Sequence, residues 1–220
     1  MKQTLLFTLL FFVSSYINGQ ESQDEIVEEL VEYLCERSDE LNKAKSIEDF
    51  SYIFDELAAK KINALPFSQR DEISTAVFLR LQRNCEEIAE TLVRFDPNEA
   101  WSIVTEKQKS KASRKDLKDF KSRTSFYYAE LDYVIQVKVE DGYWSDIFPD
   151  GTATRLKMEW LSKDSFVLIF ESSTNEGRAQ MSKPGDKYYY QIIEKKENAF
   201  TLQSWIESQE QYYISDISFE

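Results

Sequence analysis

The chain contains no histidine. That absence removes the Ser-His-Asp and Cys-His nucleophile systems, which need an imidazole to carry the proton. It also removes the usual zinc and facial-triad iron ligand sets. No G-x-x-x-x-G-K-[ST] or G-x-G-x-x-G run is present to cradle a phosphate, and no acidic loop matches an EF-hand. Neither a metal nor a cofactor is expected. What survives is hydrolysis by a carboxylate pair, which asks only for two Asp or Glu about 5–10 Å apart. Glu159, Asp164 and Glu171 lie near the ends of predicted strands, where such a pair forms. With 40 acidic side chains in 220 residues, chance proximity is the better explanation, and no residue is assigned a catalytic role.

The positive signal is aromatic. Trp144, Trp160, Tyr188, Tyr190 and Trp205 fall in the C-terminal half. Inside a curled sheet such rings line an apolar pocket or a sugar-stacking face, and these five are the candidate ligand-binding residues. Core packing is the competing reading. Trp205 runs out of phase with Phe200, Leu202 and Ile206, so it is expected to point away from the core, where an exposed indole serves as a contact.

Cys35 and Cys85 are the two cysteines. In an oxidising compartment they are expected to pair. Closing a loop of about 50 residues is worth roughly 4 kcal/mol in the chain-entropy picture. A buried free pair is the alternative; a redox role lacks the C-x-x-C spacing.

The compartment follows from the start of the chain. Lys2 precedes an apolar stretch over 5–12 broken only by Thr8, and Ser14, Ser15, Asn18 and Gly19 follow. This is the build of a secretory signal peptide, too short to span a bilayer, with cleavage near Gly19 and Gln20. No later apolar run approaches ~20 residues, so no membrane span is expected after its removal. No cysteine stands at the junction to be acylated. A secreted or periplasmic protein results. Its net charge of −13 becomes −14 once Lys2 is removed. As a whole, so acidic a chain disfavours nucleic acid and anionic lipid surfaces and favours solubility, with attraction of cationic partners as the other reading.

The elements that must position these residues divide the chain. Residues 1–20 are the signal and 21–106 a helical domain. Ile26, Leu30, Leu34 and Leu41 recur at helical spacing in the first helix. Ser46 and Asp49 open a second, whose apolar face is Phe50, Ile53, Phe54 and Leu57. Ser68 and Asp71 open a third, with one six-turn stripe from Ile73 through Cys85 to Phe95. Asp96 and Pro97 start a short fourth that turns Trp101 and Val104 inward.

Residues 107–123 carry eight bases against Asp116 and Asp119, a net of +6. They read as a solvated linker or helix end, or as a docking strip for an anionic partner. Residues 124–220 form an antiparallel β domain. Odd positions from Tyr127 to Val139 are apolar, as one long strand or two strands bent at one point. Asp141 and Gly142 signal a hairpin, and Lys183, Pro184, Gly185 and Asp186 a type II turn. The stretches 166–170 and 188–193 are apolar on both faces and so central or covered. About seven strands with short connections make a meander that curls into a barrel or half-barrel.

Fold class is therefore α+β. In strand number and connection length, residues 120–220 resemble the lipocalin-like β-barrels, which implies a fold and no function. The whole chain resembles a group of uncharacterised exported bacterial proteins with a small helical region, paired cysteines and a strand-rich end. Asn84-Cys85-Glu86, Phe148-Pro149-Asp150-Gly151 and the run from Ser182 to Tyr190 carry that resemblance. Such proteins often carry a cysteine just after the middle-strand tryptophan; Trp160 here is followed by Leu161 and Ser162. The expectation is an exported, non-enzymatic protein whose β domain binds a small ligand or an envelope protein. A carboxylate-pair hydrolase of glycan or cell-wall material and a structural envelope component are the alternatives.

Overall fold

The structure, a computed structural model, describes residues 22–95, 101–130, 133–207 and 209–220. The expected signal peptide and the restart at Asp96 and Pro97 lie outside the described residues. Among the described residues there are seven helices and nine strands. The first five helices are α1 (Gln23–Cys35), α2 (Ser38–Leu41), α3 (Ile47–Ile62), α4 (Phe67–Asn84) and α5 (Glu86–Val93). Strand β1 (Trp101–Val104) and helix α6 (Arg114–Ser122) precede β2 (Ser125–Glu130), β3 (Tyr133–Glu140), β4 (Tyr143–Ile147), β5 (Ala153–Trp160) and β6 (Ser165–Ser173). Helix α7 (Glu176–Met181), β7 (Lys187–Lys195), β8 (Ala199–Trp205) and β9 (Tyr212–Ser218) complete it. Among the described residues, no helix is long and apolar enough to cross a membrane.

The helical array forms where apolar residues recur at 3.6 spacing, and Leu30, Leu34, Leu41, Phe50, Phe54, Ile73, Val77, Leu81 and Ile88 close its core. Helix starts differ in detail from expectation. Ser46 caps α3 by accepting from Asp49 N, but the Asp49 carboxylate reaches back to Lys45 N, one residue beyond the cap. Helix α4 begins at Phe67 after Pro66, ahead of Ser68. The expected six-turn helix breaks in two at Cys85, whose backbone is extended. Its buried sulfur bonds Cys35 at the end of α1, with the Cα atoms 5.6 Å apart. The break lets α5 turn back along the core instead of leaving it as a straight rod.

The expected fourth helix is corrected. Residues 101–104 are a strand, paired antiparallel with β9 from Trp101↔Ser215 to Val104↔Tyr212. The run Trp-Ser-Ile-Val suits a pleated ladder. It takes an edge of β9 that β2 meets only at Tyr127↔Ser218.

Strands β2 to β9 form a closed eight-stranded antiparallel barrel in meander order, with β9 pairing back to both β8 and β2. The odd positions from Tyr127 to Val139 belong to two strands, β2 and β3, paired antiparallel on each other rather than to one long strand or two joined at a bend, and the two obey opposite parity. Glu130 faces Tyr133, so paired residue numbers sum to an odd value and the inward set switches from even to odd. Phe126 and Tyr128 point in on β2; Ile135 and Val137 point in on β3. Tyr127 and Tyr133, expected on the inner face, lie exposed. The hairpin at Asp141 and Gly142 forms as expected, with φ of 51° and 79°, the left-handed pair that a two-residue turn demands.

The basic segment is more than a linker. Lys111 N and Ala112 N both donate to Ile193 O, and Gln108 N donates to the buried side-chain oxygen of Gln203. The strap thus lies on β7 at Ile193 and on β8 at Gln203, and it covers the end of the doubly apolar stretch 188–193. It then becomes α6, opened by a reciprocal cap between Ser113 and Asp116. Leu117 and Phe120 drop into one end of the barrel.

The opposite end meets the helices. Helix α7 lies between α4 and the barrel. Arg80 of α4, almost fully buried, donates twice to Gln180 O and pairs with Glu28 at 2.8 Å. Arg83 donates to the Tyr188 hydroxyl at 3.1 Å and pairs with Asp186 at 3.1 Å. Gln209 Nε2 donates to Arg83 O at 2.8 Å. The two halves are one packed body.

Candidate functional site

The barrel interior is built by the inward parity of its strands. Even positions on β4 to β8 bring Trp144, Leu156, Phe166, Tyr190 and Phe200 towards the axis, where Phe126 and Phe120 join them. The rings pack on one another: Phe166 lies parallel to Tyr190 at 5.2 Å, Trp144 stacks on Phe126 and Phe166 at 6.0 Å, and Phe120 meets Phe200 edge-on at 5.0 Å. Such pairs contribute about 0.5–1.5 kcal/mol each beyond their burial.

One polar constellation sits in this apolar shaft, under α7. Asp146 follows Trp144 by two residues on β4 and so shares its inward face. The Trp144 indole donates to Asp146 Oδ1 at 2.9 Å. Burial pushes the Asp146 carboxyl up to about 6; Glu130 adds to the rise, while Trp144, Arg178 and Tyr128 oppose it. Arg178 projects from α7 and pairs with Glu130 of β2. Burial alone would lower its guanidinium, but Tyr128, Glu130 and Asp146 outweigh that and raise it. Burial raises the hydroxyls of Tyr128 and Tyr190, which therefore stay protonated at neutral pH. The arrangement is a polar plug: α7 is tied to the rim of the barrel by an arginine whose charge two carboxylates balance.

The five aromatic candidates are distributed, not gathered. Trp144 and Tyr190 lie in the core cluster. Trp160 stands at its opposite edge, 39% exposed, packed on Phe120 and Phe166 with Lys121 Nζ 3.9 Å above its ring. Tyr188 lines the seam with the helices, its hydroxyl bonded to Arg83 and Ser182. Trp205 points outward as its phase predicted. It stacks on Tyr189 at 5.5 Å beside Tyr212, with Lys107 Nζ 3.9 Å over the ring.

The three carboxylates considered for hydrolysis have separate partners. Glu159 pairs with Lys157 at 2.7 Å and Glu171 with Arg155 at 3.1 Å, both at exposed positions. Asp164 accepts from Ser162 Oγ at 2.7 Å in a hairpin tip. The carboxylate with the perturbed environment, Asp146, was not singled out from the sequence. Its signal was there: an acid in phase with a core tryptophan two residues away. The connection between β6 and β7 holds α7 and with it Arg178, which the sequence pattern did not reveal.

Surface depressions open outside the barrel, between α4 and α7 and beside the start of β2. No family model, no curated protein and no solved structure matches the chain.

Proposed function

We propose that this is an exported, non-enzymatic interaction protein that binds through its outer surface and uses the barrel as a scaffold. The observation that carries the reading is the filled shaft. Stacked rings from Phe120 to Tyr190 occupy the volume that a carrier would keep for its ligand, α6 covers one mouth and Arg178 of α7 anchors the other. Eight strands enclose an interior just wide enough for side chains to fill, so a modest shift from small to aromatic residues removes the cavity. The same packing weighs against acid–base work at Asp146, because its neighbours within the protein already supply its hydrogen bonds and charge partner. Export is supported by the disulfide and by the amino-terminal sequence.

Titration with an environment-sensitive apolar probe tests this reading. A scaffold gives weak, non-saturable probe binding and no quenching of buried tryptophan emission. Stoichiometric uptake that quenches Trp144 would establish a carrier instead.

A further inference from the structure

The end of the barrel capped by α6 joins two features that are unusual on a chain this acidic. The first is a purely cationic outer helix face. Lys115, Lys118 and Lys121 are exposed along α6, while both of its acids are turned aside. Asp116 accepts from Ser113 N at 2.9 Å and from its hydroxyl at 2.6 Å; Asp119 pairs with Lys195 at 2.8 Å and Arg123 at 3.3 Å. The second is an apolar pair beside that face, at the foot of a polar hairpin tip that also carries Asp164. Trp160 and Leu161, 39% and 54% exposed, lead into the β5–β6 hairpin, which carries Lys163. The tip is rigid: Leu161 N donates to Ser165 O at 2.9 Å and Ser162 Oγ braces Asp164 and Ser165.

We propose that this end docks the protein on an anionic lipid bilayer. The lysines meet headgroup phosphates, and Trp160 and Leu161 enter the boundary between headgroups and acyl chains, where amphipathic aromatic and aliphatic groups settle. Charge complementarity selects an anionic partner. The exposed Trp-Leu pair selects a lipid surface over a soluble polyanion, which would leave Leu161 in water. The helical array, with its excess of acids, lies at the far end of the barrel, so a pose with α6 on the bilayer keeps most of the negative charge away from it, although Glu140, Asp141, Glu159 and Glu197 are exposed at or beside turns at the α6 end. This inference names a partner for the outward-acting reading and rests on it; uptake of an apolar probe into the barrel would sink that reading while leaving vesicle binding as it is.

The test is flotation of residues 20–220, which contain every described element, with vesicles of phosphatidylcholine mixed with phosphatidylglycerol or of phosphatidylcholine alone. Binding is expected to the mixed vesicles only and to weaken at high salt. Replacing Lys115, Lys118 and Lys121 together by Glu should weaken it at least about tenfold. Leu161→Ser, at a position 54% exposed, should weaken it with little change in melting temperature. Failure of the parent chain to float with mixed vesicles, or equal flotation of the charge-reversed form, overturns the proposal. Capture by a dextran sulfate resin without vesicle binding overturns it in favour of a soluble polyanion.

Discussion

The indole of Trp144 donates to the carboxylate of Asp146 across 2.9 Å inside a β-barrel, two residues along the same strand. Alternation puts both side chains on the inner face, and the barrel around them is aromatic. The carboxylate is thus held where water cannot solvate it, with Arg178 reaching in from α7 as a counter-charge.

Asp146 should give the stability a distinctive pH dependence. Its folded value, about 6, lies above its ordinary value of 3.8, so the folded state binds the proton more tightly. Stability from this group is fully present below pH 3.8 and is lost as pH rises through 6, by about 3 kcal/mol in all. Acids with lowered values, such as Glu28 and Asp119, act in the opposite sense at the acid end. Urea unfolding of the parent and Asp146→Asn at pH 4, 5 and 7 separates them. The variant should be flatter between pH 4 and 6; parallel profiles would mean that Asp146 is solvated.

Phe120 should behave as a core residue although it belongs to a lysine-rich segment. Its ring meets Phe126, Phe166 and Phe200 within 5.8 Å. Phe120→Ala is expected to cost about 3–5 kcal/mol. Lys118→Ala, on the exposed face, should change stability by less than about 0.5 kcal/mol. Denaturant midpoints of the two variants report the difference.

Loss of the Cys35–Cys85 bond releases a loop that holds α2, α3 and α4. The pair Cys35→Ala and Cys85→Ala should lower stability by roughly 4 kcal/mol. Because the bond lies within the helical array, protection of its amides against hydrogen exchange should fall most in α1 and α4, while the barrel strands keep theirs.

Arg80 couples the two halves. Removing its side chain leaves Gln180 O without two charge-assisted bonds and Glu28 with Lys183 as its remaining partner. Arg80→Ala should cost about 2–4 kcal/mol. Hydrogen exchange should quicken in α7 first, and a single cooperative transition should split into two if the interface carries the coupling.

Much of the fold was legible from local pattern. Helical spacing in 26–95, the hairpin at Asp141 and Gly142, the pairing of Cys35 with Cys85 and the outward phase of Trp205 each depend on residues near in sequence or on compartment chemistry. The errors have a common origin. Residues 101–104 look helical or extended by composition, and it is the available edge of β9 that makes them a strand. Tyr127 and Ile135 look like one apolar face, and the antiparallel register of β2 on β3, which switches parity, places them on opposite sides. Helix α6 was hidden by its lysines, although Ser113, Asp116, Leu117 and Phe120 already spell a cap and an apolar stripe.

Periodicity, turn residues and missing side-chain types act locally, and from them alone follow an α+β chain without imidazole chemistry, a helical array bridged by two cysteines and a curled antiparallel meander. The filling of the barrel, the meeting of Asp146 and Arg178 at the end beside the helices and the locking of α4 onto α7 arise only when the elements pack. Those outcomes depend on which faces meet between segments separated by up to 100 residues, as Arg80 and Gln180 are, and burial, which sets both packing and charge, is a property of that meeting and of no single segment.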